Sequence, residues 1–280
     1  MTTEPIGAQA LREAAERTAA LLRKVPDPNL KVPGLEWNVG ETTAHLVAEL
    51  QLYTRLAADE RDAGEHPVPD ADNPNGAGTN GADTPSRVSA AANAEQLAEF
   101  TERDPARLAD LLVPAADAFV AAAARLPADK PILATNGVSM TPSTMTAALL
   151  GEQLIHGLDI ARAAKLPWPI AREDALLVIA GVIAMVPDYV DRDQAAGRHV
   201  SYELVLRGGP RYRLVIDDGT ATVTEPGLGV DCRIYADPVA FLLVGYGRIG
   251  QWGPILRGQI LAAGRKPWLG LAFGKLITGP

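Results

Sequence analysis

Apolar residues recur at three- and four-residue spacing through most of the first 190 positions, then at alternate positions after about residue 200. From Ile6 to Lys24, Leu11, Ala15, Ala19 and Leu22 share one face, which predicts an amphipathic helix ending before Pro26. A Pro/Gly-containing connector leads to Asn38, and Glu41 follows three residues later in the form of a capping box. The helix it starts is expected to run from Val39 to about Asp62, with Trp37 packing down to fix its entry angle. Residues 62–86 hold Gly64, Pro67, Pro69, Pro74, Gly76, Gly78, Gly81 and Pro85 with almost no large apolar residue. Such a segment buries too little to offset its ordering entropy, so it reads as a long mobile loop with His66 solvated in it. Helices over 87–102, 105–126, 141–165 and about 171–190 follow. Asp104-Pro105 and Thr141-Pro142 start two of them, and Pro167-Trp168-Pro169 closes the third. No stretch before residue 190 reads as a strand.

The second half changes period. Val200–Arg207, Tyr212–Asp217, Thr220–Thr224 and Cys232–Ala236 read as strands, with Asp218-Gly219 as a hairpin turn. Asp237-Pro238 starts a helix to about Tyr246, Leu256–Ile260 reads as a short fifth strand, and Pro267–Lys275 as a terminal helix. His199 falls at the edge of the first strand. The fold class is therefore α+β and multi-domain, with a helical bundle over 1–192 and a small α+β domain over 193–280.

Composition narrows the chemistry. The net charge of −8, with no basic block, argues against a nucleic-acid partner. No uncharged apolar run approaches the roughly 20 residues that span a bilayer, so no membrane partner is expected. The first residues show no basic stretch followed by an apolar core, so no secretion signal is expected, and a single cysteine, Cys232, excludes an internal disulfide and fits a reducing cytoplasm. Cys232 itself reads as a small buried strand residue.

Gly151–Asp159 is the stretch where chemistry is most readable. Glu152 and His156 are four residues apart on one helix, so their side chains stand one above the other, and Asp159 follows on much the same face. A carboxylate and an imidazole so placed can hold a divalent metal, but a third ligand must come from elsewhere. The chain has three other histidines, His45, His66 and His199; His45, in the capped second helix, is the candidate. His45, Glu152 and His156 would make the two-histidine, one-carboxylate set of a catalytic zinc site with a position left open. Asp159 would orient His156 through its second ring nitrogen. An open zinc can hold a thiol as thiolate. Spacing alone leaves a second reading, in which both histidines are separately satisfied core residues and Glu152 is a solvated charge.

Trp37-Asn38-Val39-Gly40-Glu41 leading to His45, then Glu152-x-x-x-His156-Gly157-x-Asp159-Ile160-Ala161-Arg162-Ala163, resembles the mycothiol-dependent maleylpyruvate isomerase family. The bundle resembles the DinB-like metal-binding four-helix superfamily. The last 85 or so residues, with Gly245-Tyr246-Gly247-Arg248 and Leu256-Arg257-Gly258, resemble a sterol-carrier-like domain. The long 62–86 loop, and Gly-Leu-Asp in place of a frequent aromatic, depart from the simplest family pattern. The resemblance implies that His45, Glu152 and His156 hold zinc or another divalent metal. It implies mycothiol as the low-molecular-weight thiol, and a small electrophilic substrate for either isomerisation or S-transfer. A carboxylated substrate wants an arginine partner; Arg248 is the candidate, and a surface charge on a loop is the other reading of it. Two other readings stand beside this one. One is a carrier whose Leu242, Leu243, Trp252, Trp268, Leu271 and Phe273 line a lipid cavity, residues that also fit a plain domain core. The other is a regulatory protein that has lost catalysis.

Overall fold

Leu11, Ala15 and Leu22 fall on one face of α1 (Ala8–Leu22) and are fully buried, so the period-3.6 pattern becomes a packed surface. The structure, a computed structural model, describes residues 3–58, 93–227 and 229–277. The predicted 62–86 loop and His66 lie outside the described residues. α2 spans Val39–Ala58. Its capping box forms as the sequence indicates: the Glu41 amide donates to Asn38 Oδ1 (2.9 Å) and the Asn38 amide donates to Glu41 Oε2 (2.8 Å). Residues 93–99 are helical. α3 (Pro105–Ala123) is capped by Asp104, whose carboxylate accepts from the amides of Ala106 and Arg107. α4 (Pro142–Ala164) is capped by Thr141 and closes on Lys165 in the left-handed conformation.

The bundle is a ring. α1 and α2 each pack against both α3 and α4, so α1 faces α2 across the core and α4 is a direct neighbour of α2. Leu46 and Leu50 on α2, Leu108, Leu112 and Phe119 on α3, and Leu149, Leu150 and Leu154 on α4 fill the interior. One feature departs from the all-helical expectation for the first 190 residues. β1 (Ile132–Leu133) and β2 (Ser139–Met140) pair antiparallel between α3 and α4. Two-residue strands are too short to show a period.

The chain divides into two compact units, the first ending at Ile170 and the second beginning at Ala171. The sequence placed the boundary at 192/193. The helix α5 (Arg172–Met185) therefore belongs to the second unit, where it packs on α7 (Pro238–Gly245). A short α6 (Arg192–Ala195) precedes the sheet. Strands β3 (His199–Leu206), β4 (Arg211–Asp217), β5 (Thr220–Thr224), β6 (Cys232–Ala236) and β7 (Ile260–Ala263) are ordered β5-β4-β3-β6-β7. β3 and β6 are parallel; the other pairs are antiparallel. β3 buries Val200, Tyr202, Leu204 and Leu206 on one face and Glu203 on the other. There the Arg233 guanidinium donates to Glu203 at 2.5 Å from the neighbouring strand.

Two elements differ from expectation. The fifth strand begins at Ile260, where Leu256–Ile260 was expected, because Trp252–Leu256 forms a helix, α8. The expected terminal helix is instead two 3₁₀ turns, Pro267–Leu271 and Phe273–Lys275. Cys232 is buried, as expected, and burial pushes its thiol up. Leu242 is buried, but Trp252 (60%), Trp268 (63%) and Leu271 (44%) are exposed, and Phe273 packs edge-on against Tyr202. Among the described residues, no helix is long and apolar enough to cross a membrane.

Asn38→Ala removes the side-chain half of the box at the start of α2, at a cost of about 1 kcal/mol. Chemical denaturation should show a lower midpoint with an unchanged slope; an unchanged midpoint would show that the box carries no stability.

Candidate metal centre

The ring order of the bundle brings α2 against α4, and this places His45 opposite the Glu152–His156 face. Both imidazoles aim their Nε2 atoms at one carboxylate oxygen. His45 Nε2 lies 3.3 Å and His156 Nε2 3.1 Å from Glu152 Oε2. One ligand atom from each of the three lies within 4.8 Å of the other two. The imidazole rings stand almost perpendicular, 88° apart with centroids 5.3 Å distant. His45 is 2% exposed and His156 9%, while the Glu152 side chain keeps 27% of its surface open. His156 Nδ1 donates to Asp159 Oδ2 at 3.2 Å, and Asp159 is itself buried. Arg248 lies in the second unit, after α7, where its guanidinium donates to the Tyr246 carbonyl at 2.8 Å. His199 stands exposed at the start of β3 beside Asp217.

Burial and pairing act against each other at every group. Burial penalises the charge on His156, but hydrogen bonds to Asp159 and Glu152 outweigh it and raise its pKa to about 9. Burial likewise opposes ionisation of Glu152, and the two histidines overcome it, holding the carboxylate well below the usual range. His45 goes the other way: burial dominates and keeps it neutral. Its Nδ1 is buried with no hydrogen-bond partner among the described residues.

These residues fit a divalent cation. Tetrahedral bonds of about 2.0–2.2 Å set neighbouring ligand atoms roughly 3.4 Å apart, close to the two spacings observed here. The donor set is neutral imidazole and carboxylate, suited to zinc and its neighbours. Asp159 is placed to fix the tautomer of His156 with Nε2 free.

Three residues at the site were not singled out by the spacing argument. Glu49 is one turn beyond His45 on α2 and half-buried. Burial first, then the charge of Glu152, pushes it up to about 8, so near neutral pH it adds little negative charge to the cluster. Its four-residue spacing from His45 was a readable signal. Trp37 lies 5.1 Å from the His45 ring and 6.4 Å from that of His156, centroid to centroid. Its position ahead of the helix gave a packing role but no hint of these partners. Trp168 lies across α4 where Gly157 leaves room. A Cβ there would meet its Cζ2 at 2.2 Å, and its indole N–H donates to the Leu154 carbonyl at 2.9 Å.

Comparison with known proteins follows the same lines. A family model described as the mycothiol maleylpyruvate isomerase N-terminal domain matches residues 11–161, more than half of the chain. A solved structure of a histidine-to-alanine mutant of the mycothiol-dependent maleylpyruvate isomerase is similar at 13% identity, with TM-score 0.51. That match covers 91% of this chain and 90% of the other. At this identity the likeness shows the fold, a helical region followed by a sheet domain. The structure of the mycothiol-dependent maleylpyruvate isomerase itself matches over the same shares at 16% identity and TM-score 0.49. The inverting sec-alkylsulfatase Pisa1 from Pseudomonas sp. matches 49% of this chain at 15% identity and TM-score 0.33, and the match spans only 24% of the sulfatase. No curated protein sequence matches the chain.

Gly157→Ala should force Trp168 off the helix and break its bond to Leu154, costing about 1–3 kcal/mol as an overpacked contact; thermal melting would read it, and an unchanged melting temperature would count against that packing. The pH response is equally specific. Because the folded-state pKa of His156 lies above its unfolded value near 6.5, its contribution is complete below that value and lost as pH rises through about 9. Metal-stripped protein should therefore become easier to melt across that window, and a His156→Gln variant should not show the decline.

Proposed function

Because the chain belongs to the mycothiol maleylpyruvate isomerase family, we propose that its bundle is a metal centre that works with a low-molecular-weight thiol, mycothiol, on a small electrophilic substrate. The observation that carries this reading is the meeting of the His45 and His156 imidazoles on one oxygen of Glu152, with His45 and Glu152 107 residues apart in sequence. In this reading the three side chains are the ligands and zinc is the metal. The metal, when bound, supplies the Lewis acidity that keeps a thiol sulfur ionised at neutral pH.

The chain's own residues set the conditions for that chemistry. Glu152 contributes the one permanent negative charge among the ligands. Asp159 holds the His156 ring by its Nδ1 proton and leaves Nε2 aimed at the centre. Burial keeps His45 neutral and therefore able to donate a lone pair. Burial and the charge of Glu152 raise the Glu49 carboxyl, the direction that disfavours a second carboxylate charge beside the ligands. The reaction class is addition to and elimination from an electron-poor carbon–carbon double bond. If the thiol departs, the outcome is a cis–trans isomerisation; if it stays, the outcome is S-transfer.

His45→Ala should remove metal from the purified protein without unfolding it. Atomic emission for metal content and circular dichroism for helicity decide the matter. A folded variant with wild-type metal content would refute the ligand assignment. Calorimetry with a low-molecular-weight thiol should give binding to the loaded wild type and none to the metal-free variant.

A further inference from the structure

Three aromatic rings cluster at the centre, and they differ in their access to water. The two imidazoles are buried, whereas Trp37 is half-exposed. The indole is tilted 46° to one imidazole and 42° to the other, so it flanks both. Its place is fixed independently of any ion. The Trp37 carbonyl accepts from the Val32 amide at 3.1 Å, Lys31 and Asn38 form a bridge across the connector, and Asn38 is locked into the α2 cap. No charged side chain forms an ion pair with Glu152 among the described residues apart from the two histidines. The buried Nδ1 of His45 has no hydrogen-bond partner among the described residues. One flank of the ligand cluster is therefore an indole in rigid backbone mounting, and the opposite character, a partly open carboxylate, is supplied by Glu152.

We propose that Trp37 is the positioning residue for the thiol: its indole forms the apolar flank on which the sulfur and its adjoining methylene rest, and it biases the centre toward a thiol over water. The inference rests on the metal-and-thiol reading above. Sulfur is polarizable and makes favourable contacts with aromatic rings, often at the ring edge, and its methylene gains from an apolar flank that a water or hydroxide does not need. The same ring excludes solvent from one flank and so strengthens the attraction between an ionised sulfur and a cation. Such contacts correspond to a preference of roughly three- to tenfold. The chemistry recognised is general to small thiols: a sulfur on a methylene, with no group on the far side of the ring required.

The test uses the full chain loaded with cobalt(II) and titrated with N-acetylcysteine, followed by the sulfur-to-cobalt charge-transfer absorption. This signal reports a sulfur bound at the centre without any turnover. Trp37→Ala should take up cobalt in the wild-type amount, with an unchanged visible spectrum before thiol is added, yet need roughly three- to tenfold more N-acetylcysteine to develop the band. Trp37→Phe, which keeps an aromatic face, should stay within about twofold of wild type. If the alanine variant fails to fold, Trp37→Leu replaces it, keeping apolar bulk without the ring, and should show the same weakening. Equal titrations for wild type and the ring-less variants would overturn the inference while leaving the metal centre standing. Loss of cobalt from a folded ring-less variant would also overturn it, since Trp37 would then support the ligands and not the thiol. A wild-type protein that takes up no cobalt, or takes it up and never develops the band, would overturn the metal-and-thiol reading and the inference with it.

Discussion

The centre of this molecule depends on one carboxylate oxygen facing two imidazole nitrogens inside a helical bundle. Each of the three groups is costly to bury alone, and each changes protonation in response to the others. Glu152 stays ionised because two histidines face it, His156 gains a proton because Glu152 and Asp159 flank it, and His45 is left neutral by burial. The geometry that makes this possible is the ring order of the bundle, which seats α2 beside α4. Had α2 lain diagonal to α4, the same residues would have been two unrelated polar defects in a core.

The parts of this arrangement that were legible in the sequence are the local ones. Glu152, His156 and Asp159 share a face by helical spacing, and Asn38 with Glu41 announced the start of α2. His45 was reached by elimination among few histidines and by resemblance, because nothing local says that residues 45 and 152 meet. Trp37 was invisible as a site residue for the same reason: it precedes a helix, and no periodicity governs what it touches. Glu49 could have been read, since it repeats the His45 position one turn on.

Elsewhere the misreadings have physical causes. Residues 172–185 were given to the bundle because an apolar helix looks the same whichever layer buries it, and only the packing on α7 settles its place. Leu256 and Ile260 suggested a strand by their side chains, but the backbone turns at Gly258 with φ 66°, so helix and strand divide there. The hairpin at 132–140 consists of two-residue strands, below the length at which alternation shows. By contrast Asp218-Gly219 joins β4 to β5 with both residues at positive φ, the conformation that such a pair favours.

Because the candidate ligands belong to α2 and α4 of one bundle, the unfolded chain has no equivalent of their meeting point. Any cation with affinity for it acts on the folded population by mass action: at a hundredfold excess over its dissociation constant, occupancy adds about 2.7 kcal/mol to the folded state. For an ion that occupied the site, folding and ion supply would form a single coupled equilibrium.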